Sequence, residues 1–277
     1  MLMFQRTLAS RQTEHSRPPT GNGRFAVRVS RDPADIAAAQ RLRYHVFYRE
    51  MNALPTPANL AAQRDFDAFD PVCDHLLVYD RSRPAGGQVV GTYRLLRQAV
   101  AERHGGFYSA GEYDLAPLIE RLGAGGGFLE LGRACVHADY RTNACIQLLW
   151  RGIAAYIADP AITHMFGCAN LPGIEPRKLA VPLSYLWHNH LAPPHLRVRA
   201  QPRRYVPMNL LPAAAIPLRA ALQTLPPLIK GYLRVGAFIG DGAVVDRQFG
   251  TTDVFILLPV ARIARKYSAH FDLEEAD

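Results

Sequence analysis

The stretch Phe128–Trp150 reads F-L-E-L-G-R-A-C-V-H-A-D-Y-R-T-N-A-C-I-Q-L-L-W, and its order decides the fold. An apolar, strand-like run carries Glu130 and Arg133 three residues apart and continues through Val136. A basic turn follows at Tyr140–Thr142. Beyond it Ile146, Leu149, Trp150, Ile153 and Ile157 fall on a helical stripe. Strand, tight basic turn and helix start together present free backbone N–H groups and the positive end of a helix dipole. A phosphate-bearing co-substrate is therefore expected at this turn.

Working outward, Phe25–Val29 alternates like a strand, and Asp32 before Pro33 reads as a cap that starts a helix running over Ala34–Glu50. A proline-bearing loop, Asn52–Asn59, leads to the acidic and aromatic stretch Asp65–Asp74. His75–Tyr79 and Val89–Leu96 read as strands joined by the turn Ser82–Gly87. Glu112–Leu122 is expected as a short helix, Gly123–Gly127 as a flexible turn, Phe128–Val136 as a strand and Ala144–Ala158 as a helix. His164–Cys168 reads as a strand, Arg177–His190 as a helix and Val198–Val206 as a strand around Pro202. From Leu210 the texture changes to proline-punctuated apolar pieces, ending in a strand at Val254–Leu258 and a basic helix at Val260–Tyr267. The pattern predicts a mixed α/β fold around one central sheet. Its expected organisation is a flexible basic N-terminus (1–23), a main domain (24–206) and a C-terminal extension (207–277).

Composition narrows the function classes. The chain has 277 residues, 49% hydrophobic and 20% charged, enough for a substantial core. Lys+Arg 32 against Asp+Glu 24 gives +8, which favours acidic partners. Nucleic acid is not expected, because no stretch interleaves aromatic residues with arginine as a base-stacking platform. Cys73, Cys135, Cys145 and Cys168 form no C-x-x-C pair and read as reduced, buried cysteines of a cytosolic protein, so no metal site is expected. Met1–Phe4 is too short for the apolar core of a secretory signal. The most apolar long window, Leu210–Gly240, is broken by Pro212, Pro217, Arg219, Pro226, Pro227, Lys230 and Arg234, so no bilayer span is expected. The expected location is cytoplasmic, with the inner membrane face as a peripheral site. Leu218–Ala237, with Arg219, Lys230 and Arg234, has the composition of an interfacial element, and equally of an ordinary packed appendage.

The order of elements, with the phosphate-type turn after the fourth strand, resembles the Gcn5-related N-acyltransferase fold. Members bind acyl-CoA or an acyl-carrier pantetheine at a splay between central strands, at a turn of the form R/Q-x-x-G-x-G/A. Here the turn reads Arg141-Thr142-Asn143-Ala144-Cys145-Ile146: the arginine matches, and Ala144 and Ile146 replace the small residues. Side chains there crowd a pyrophosphate, while a phosphopantetheine arm carries one phosphodiester and needs less room. By resemblance Val136, Arg141, Thr142, Asn143 and Ala144 would receive that arm. A second, ordered set is Arg43-x-x-x-Phe47, Asp65-Phe-Asp67-Ala-Phe-Asp70, Val90-Gly-Thr-Tyr-Arg94 and Glu130-x-x-Arg133. It is similar to acyl-homoserine lactone synthases. It resembles more closely the L-ornithine N-alpha-acyltransferases of the hemolysin-like group, through R-Y-H-V-F-Y-R-E-M (Arg43–Met51), V-G-T-Y-R-L-L (Val90–Leu96), L-L-W-R-G-I (Leu148–Ile153) and the tail motif L-P-P-L-I-K-G-Y-L-R-x-G-A (Leu225–Ala237).

The resemblance implies transfer of a 3-hydroxyacyl group from acyl-carrier protein to the α-amine of L-ornithine, giving lyso-ornithine lipid. The thioester-bearing carrier is then a co-substrate, and no permanently bound cofactor is implied. Aminolysis needs a base for the α-ammonium, and a Glu inside an apolar strand is rarely there for packing, so Glu130 is the candidate; the alternative is a structural pair with Arg133 or Arg94. Arg43, Arg94 and Arg133 are candidates for the acceptor carboxylate, Asp67 and Asp70 for its side-chain ammonium, with Phe47 beside them. His137 reads as a packed strand histidine, and Tyr140 lies too early to protonate a leaving thiolate. A basic face for an acidic carrier is offered by Arg141, Arg151, Arg177 and Lys178. The alternatives are lactone synthesis, acylation of another amino acid and membrane lysis. The first is disfavoured by the tail and helix motifs, the last by the lack of an amphipathic hairpin or apolar span.

Overall fold

The computed structural model describes residues 23–123, 127–141 and 143–263. The N-terminal segment expected to be flexible, all but its last residue, lies outside them, as do Ala124–Gly126, Thr142, the Asn143 side chain and the expected basic helix beyond residue 263. The strands among these residues are β1 (Phe25–Ser30), β2 (Asp74–Asp80), β3 (Val89–Arg97), β4 (Tyr113–Asp114), β5 (Gly127–Val136), β6 (Ile162–Pro172), β7 (Arg199–Ala200), β8 (Tyr205–Val206), β9 (Phe238–Asp246) and β10 (Thr251–Pro259). The α-helices are α1 (Pro33–Tyr44), α2 (Pro57–Ala62), α3 (Gln98–Ala101), α4 (Ala116–Leu122), α5 (Asn143–Ile157), α6 (Ala180–His190), α7 (Leu218–Thr224) and α8 (Pro227–Arg234). The chain forms two compact units, Met1–Met51 with Pro55–Leu95 and Arg133–Tyr156, and Asn52–Leu54 with Leu96–Gly132 and Ile157–Asp277.

In the first unit β1, β2 and β3 pair antiparallel, from Phe25↔Asp80 to Ser30↔His75 and from Asp74↔Leu95 to Tyr79↔Val89. Leu76, Leu77, Val78 and Val90 are fully buried, each contributing about 1.5–3 kcal/mol. The expected cap is present: Asp32 accepts from the amides of Ala34 and Asp35, with Pro33 in the first turn. The single helix expected over Ala34–Glu50 is instead α1 followed by a π-helix, His45–Glu50, that keeps Val46, Phe47 and Tyr48 buried. Helix α5 lies close on the sheet because two positions lack side chains. A Cβ at Gly152 would sit 2.4 Å from Leu76 Cδ1, and one at Gly91 would sit 3.2 Å from Cys145 Sγ. Cys145, Leu149 and Ile153 are the buried face of α5, whereas Ile146, read as part of the stripe, is exposed.

In the second unit β5 runs parallel to β6 from Gly127↔Ile162 to Glu130↔Phe166. Strand β10 is antiparallel to β6 from Thr251↔Pro172 to Pro259↔His164, β9 pairs with β10, β7 and then β4 continue the sheet, and β8 flanks β9. A Cβ at Gly167 would stand 2.2 Å from the Leu131 carbonyl, so only glycine lets these backbones meet. The segment expected to read as an extension thus supplies two long strands, of which sequence reading found only Val254–Leu258 within β10. The helix expected over Glu112–Leu122 begins later, at Ala116, because Tyr113–Asp114 pair with β7. Phe107, Phe128, Phe166, Tyr113 and Phe255 form an aromatic core, with Phe107–Phe166 edge to face at 4.8 Å.

Candidate active site

The first unit gathers the predicted arginines and aspartates into one buried cluster. Arg43, in the last turn of α1, is 0% exposed. Its Nε donates to Asp65 Oδ2 at 2.7 Å, and its Nη2 donates to the Asp65 carbonyl at 2.6 Å and to Asp70 Oδ1 at 2.7 Å. Arg94 on β3 donates to Asp67 Oδ1 at 2.6 Å, and Arg133 Nη2 donates to Asp67 Oδ2 at 3.2 Å. Tyr48 Oη donates to Asp65 Oδ1 at 2.9 Å, and the His75 ring stands 2.9 Å from the Asp70 carbonyl. Tyr48 and His75 belong to this cluster without having been singled out by sequence, and Asp65, quoted within the ordered acidic stretch, had been given no role.

Three guanidiniums face three carboxylates, so each buried charge has a partner, the condition under which such groups are tolerated. Burial pushes the Asp67 carboxyl up, but the guanidiniums of Arg94 and Arg133 hold it below the usual carboxylate range. Burial lowers His75. The cluster reaches solvent at Asp67 and Arg133, whose side chains are 24% and 15% exposed; Phe47 is buried. Arg133 has φ +51°, a left-handed backbone carried by arginine rather than glycine, a conformation that costs on the order of 1 kcal/mol or more.

At the expected phosphate turn, the His137 amide donates to the Val90 carbonyl at 2.9 Å and fixes the end of β5. Arg141 Nε donates to the Val136 carbonyl at 3.1 Å, and its Nη2 pairs with Glu50. Ala144 is exposed in the first turn of α5. His45 and His137 stack with centroids 5.6 Å apart. Tyr140 Oη donates to Asp80 Oδ2 at 2.6 Å, which commits that hydroxyl to a carboxylate of the same unit.

Glu130 lies in the second unit, three residues along β5 from Arg133, and is 3% exposed. Its carboxylate accepts from the Tyr108 amide at 2.8 Å, from the Ser109 amide at 2.7 Å and from Ser109 Oγ. These donors belong to a turn, Tyr108–Gly111, that sequence reading did not connect to the strand. Neutral donors converging on a carboxylate stabilise its ionised form. The Cys168 thiol stands 3.5 Å from Ser109 Oγ, and burial raises its pKa. The same unit brings oxygens of Glu112, Asp246 and Asp253 within 4.8 Å of one another, near enough for their charges to repel. Asp253 accepts from Asn170 Nδ2 at 2.7 Å and Thr251 Oγ1 at 2.8 Å. Burial, then the neighbouring Glu112 charge, push Asp253 up to about 7. Sequence reading missed this trio, in which Glu112 is remote in the chain from Asp246 and Asp253.

Residues 42–151 match the acetyltransferase (GNAT) domain family. The chain is 49% identical over 255 residues to the L-ornithine N(alpha)-acyltransferase of Brucella abortus, covering 91% of this chain and 90% of that protein. It is 49% identical over 254 residues to the enzyme of the same name from Rhizobium meliloti, covering 90% and 86%, and 42% identical over 245 residues to that of Rhodobacter capsulatus, covering 88% and 93%. Among solved structures, FeeM, an N-acyl amino acid synthase from uncultured soil microbes, shares the fold with a TM-score of 0.51 at 11% identity, covering 90% of this chain and 96% of that one. With these identities extending over almost its whole length, the chain belongs to the L-ornithine N(alpha)-acyltransferase family, built on the GNAT fold.

Proposed function

We propose that this protein N-acylates the α-amine of L-ornithine, drawing the acyl group from the phosphopantetheine thioester of an acyl-carrier protein and releasing lyso-ornithine lipid. The carrying observation is identity of 42–49% over about nine-tenths of the chain to proteins named for ornithine N-acylation. In the reaction the amine nitrogen attacks the thioester carbonyl carbon, the C–N bond forms, the C–S bond breaks and the thiolate leaves. The α-ammonium, with a pKa near 8, gives up one proton before attack, and the second, lost from nitrogen as the amide forms, ends on the leaving thiolate. The first needs a base. We assign Glu130 to receive it, directly or through water. Asp67 and Arg133, the members of the ion cluster that reach solvent, suit the acceptor's ammonium and carboxylate. Arg43, Asp70 and Arg94 hold that pair in place, and the buried Phe47 is assigned to the same acceptor site. Val136, Arg141, Thr142, Asn143 and Ala144 are assigned to the pantetheine phosphate, where the first turn of α5 offers backbone N–H groups. Ala144 and Ile146 at positions usually small favour a single phosphodiester over a pyrophosphate.

A second reading of the base rests on one observation: Asp253, pushed up to about 7, is tuned to exchange protons at neutral pH. Mass spectrometry of a purified reaction with 3-hydroxyacyl-carrier protein and L-ornithine, run beside Glu130→Ala and Asp253→Asn, tests both. Acyl-ornithine that disappears with Glu130→Ala alone supports the first assignment. Loss with Asp253→Asn alone moves the base there. No product from the unaltered protein with an active carrier substrate overturns ornithine as acceptor or the carrier as donor, which an amino-acid panel with acyl-CoA then separates.

A further inference from the structure

The β9–β10 hairpin of the second unit carries an apolar tip that the reaction does not use. Leu54 is 65% exposed, yet its backbone is fixed: its amide donates to the Gln248 carbonyl at 2.7 Å. Ile174 is 40% exposed and follows Gly173, whose amide donates to the Gly250 carbonyl at 3.0 Å and whose carbonyl accepts from Thr252 Oγ1 at 2.7 Å. Two large apolar residues from separate segments are thus tied to one turn, beside the half-buried Phe249. Exposed apolar residues scattered singly need no explanation, but ordered ones gathered at one tip do. The segments that hold the tip carry exposed cationic side chains. Arg247 and Arg177 are exposed, and Lys178 pairs with Glu175. The acid in the turn, Asp246, is directed to the amides of Gln248 and Phe249.

The stretch Leu218–Ala237 that composition suggested for an interface buries Ala221, Leu225, Ile229 and Tyr232 and leaves Leu218 and Leu222 exposed. Among the described residues no helix is long and apolar enough to cross a membrane. We propose that Leu54 and Ile174 at the hairpin tip dip into the surface of an anionic lipid bilayer, with Arg177 and Arg247 at its headgroups. Apolar tips ringed by long cationic side chains are what an anionic interface holds, the chains entering the acyl boundary and the guanidiniums staying at the phosphates. The inference rests on the proposed reaction only for its purpose, since an acylated amino acid is an amphiphile that leaves into lipid.

The test is co-sedimentation of the full chain with vesicles of phosphatidylcholine, with or without an equal part of phosphatidylglycerol. It reads binding and is independent of turnover. Binding to the anionic vesicles, released by high salt, is expected. Leu54→Asp combined with Ile174→Asp should cut the partition coefficient at least about tenfold, and Arg247→Glu about fivefold or more. Turnover of a short, soluble acyl donor should stay within about twofold, which shows that the variants fold. Equal binding of unaltered protein and double variant overturns the proposal. So does unchanged vesicle binding with a raised KM for the acyl-carrier protein, which would make the tip a protein-docking surface. Vesicle binding that depends on Leu54 and Ile174 in a protein inactive on ornithine would keep this inference while rejecting the reaction.

Discussion

The two units each bury a polar cluster, and the clusters are built on opposite plans. In the first, Arg43, Arg94 and Arg133 neutralise Asp65, Asp67 and Asp70. In the second, Glu130 is held by two amides and a hydroxyl, and Asp253 by an amide side chain and a hydroxyl, with Glu112 beside it. In the first, the guanidiniums of Arg94 and Arg133 hold the Asp67 carboxyl below the usual carboxylate range. In the second, burial and then the neighbouring Glu112 charge push Asp253 up to about 7, against the hydrogen bonds from Thr251 and Asn170. The first plan ties guanidiniums to carboxylates, and the second holds a carboxyl, Asp253, whose pKa burial raises.

The harshest test of that contrast is Arg43→Ala. It leaves Asp65 and Asp70 buried without their guanidinium and should cost about 3–5 kcal/mol, read by denaturant unfolding. If the loss is below about 1 kcal/mol, the cluster is not the closed ion network described.

The pH dependence of stability should differ in sign between the regions. Asp67 has a lowered folded pKa, so its contribution is present above the ordinary carboxylate value of 3.8 and is lost as pH falls below it. Asp253 is raised from 3.8 to about 7, so the folded state binds the extra proton between those values. Its contribution is fully present below pH 3.8 and is lost as pH rises through 7, an effect of about 2–4 kcal/mol. Asp253→Asn should therefore flatten the fall in stability from pH 4 to 7 and leave the variant more stable than the parent at pH 8. A parent curve with no such fall would break the comparison.

Smaller effects sharpen it. Glu130→Gln keeps the volume but turns an NH2 group toward one of the two amides. If Glu130 is the base, kcat should drop about 100-fold or more, while the fold survives with a loss of about 1–3 kcal/mol. Ser109→Ala removes the hydroxyl and keeps the amide bond. It should cost about 1 kcal/mol and, if Glu130 is the base, lower kcat with KM little changed, because Glu130 loses one of the donors that orient it. An unchanged kcat would make Ser109 a packing residue only.

Much of the first plan was legible in the chain. Arg43, Asp67, Asp70, Arg94 and Arg133 were singled out from an ordered pattern, and all five meet in one cluster. The Asp32–Pro33 helix start and the strand–turn–helix of Phe128–Trp150 were readable because capping and periodicity are local. The π-helix at His45–Glu50 was not, since its apolar residues still fit a helical stripe. Strand β9 was missed because Gly240 and Gly242 interrupt its pattern. Each makes room for a neighbour: a Cβ at Gly240 would stand 2.9 Å from Phe255 Cβ, and one at Gly242 would stand 2.4 Å from the Tyr205 ring.

The sequence alone determined the fold family, the charged residue types and the presence of a lone acid in a buried strand. Only the tertiary structure decided their partners. Arg43 is enclosed by Asp65 and Asp70, Glu130 is gripped by Tyr108 and Ser109, and Asp253 meets Glu112 from 141 positions away. The reason is physical. Helices, strands and caps follow from interactions within a few residues, which a chain displays directly. Desolvation and charge pairing depend on distances between segments remote in sequence, and these exist only once the backbone has closed around them.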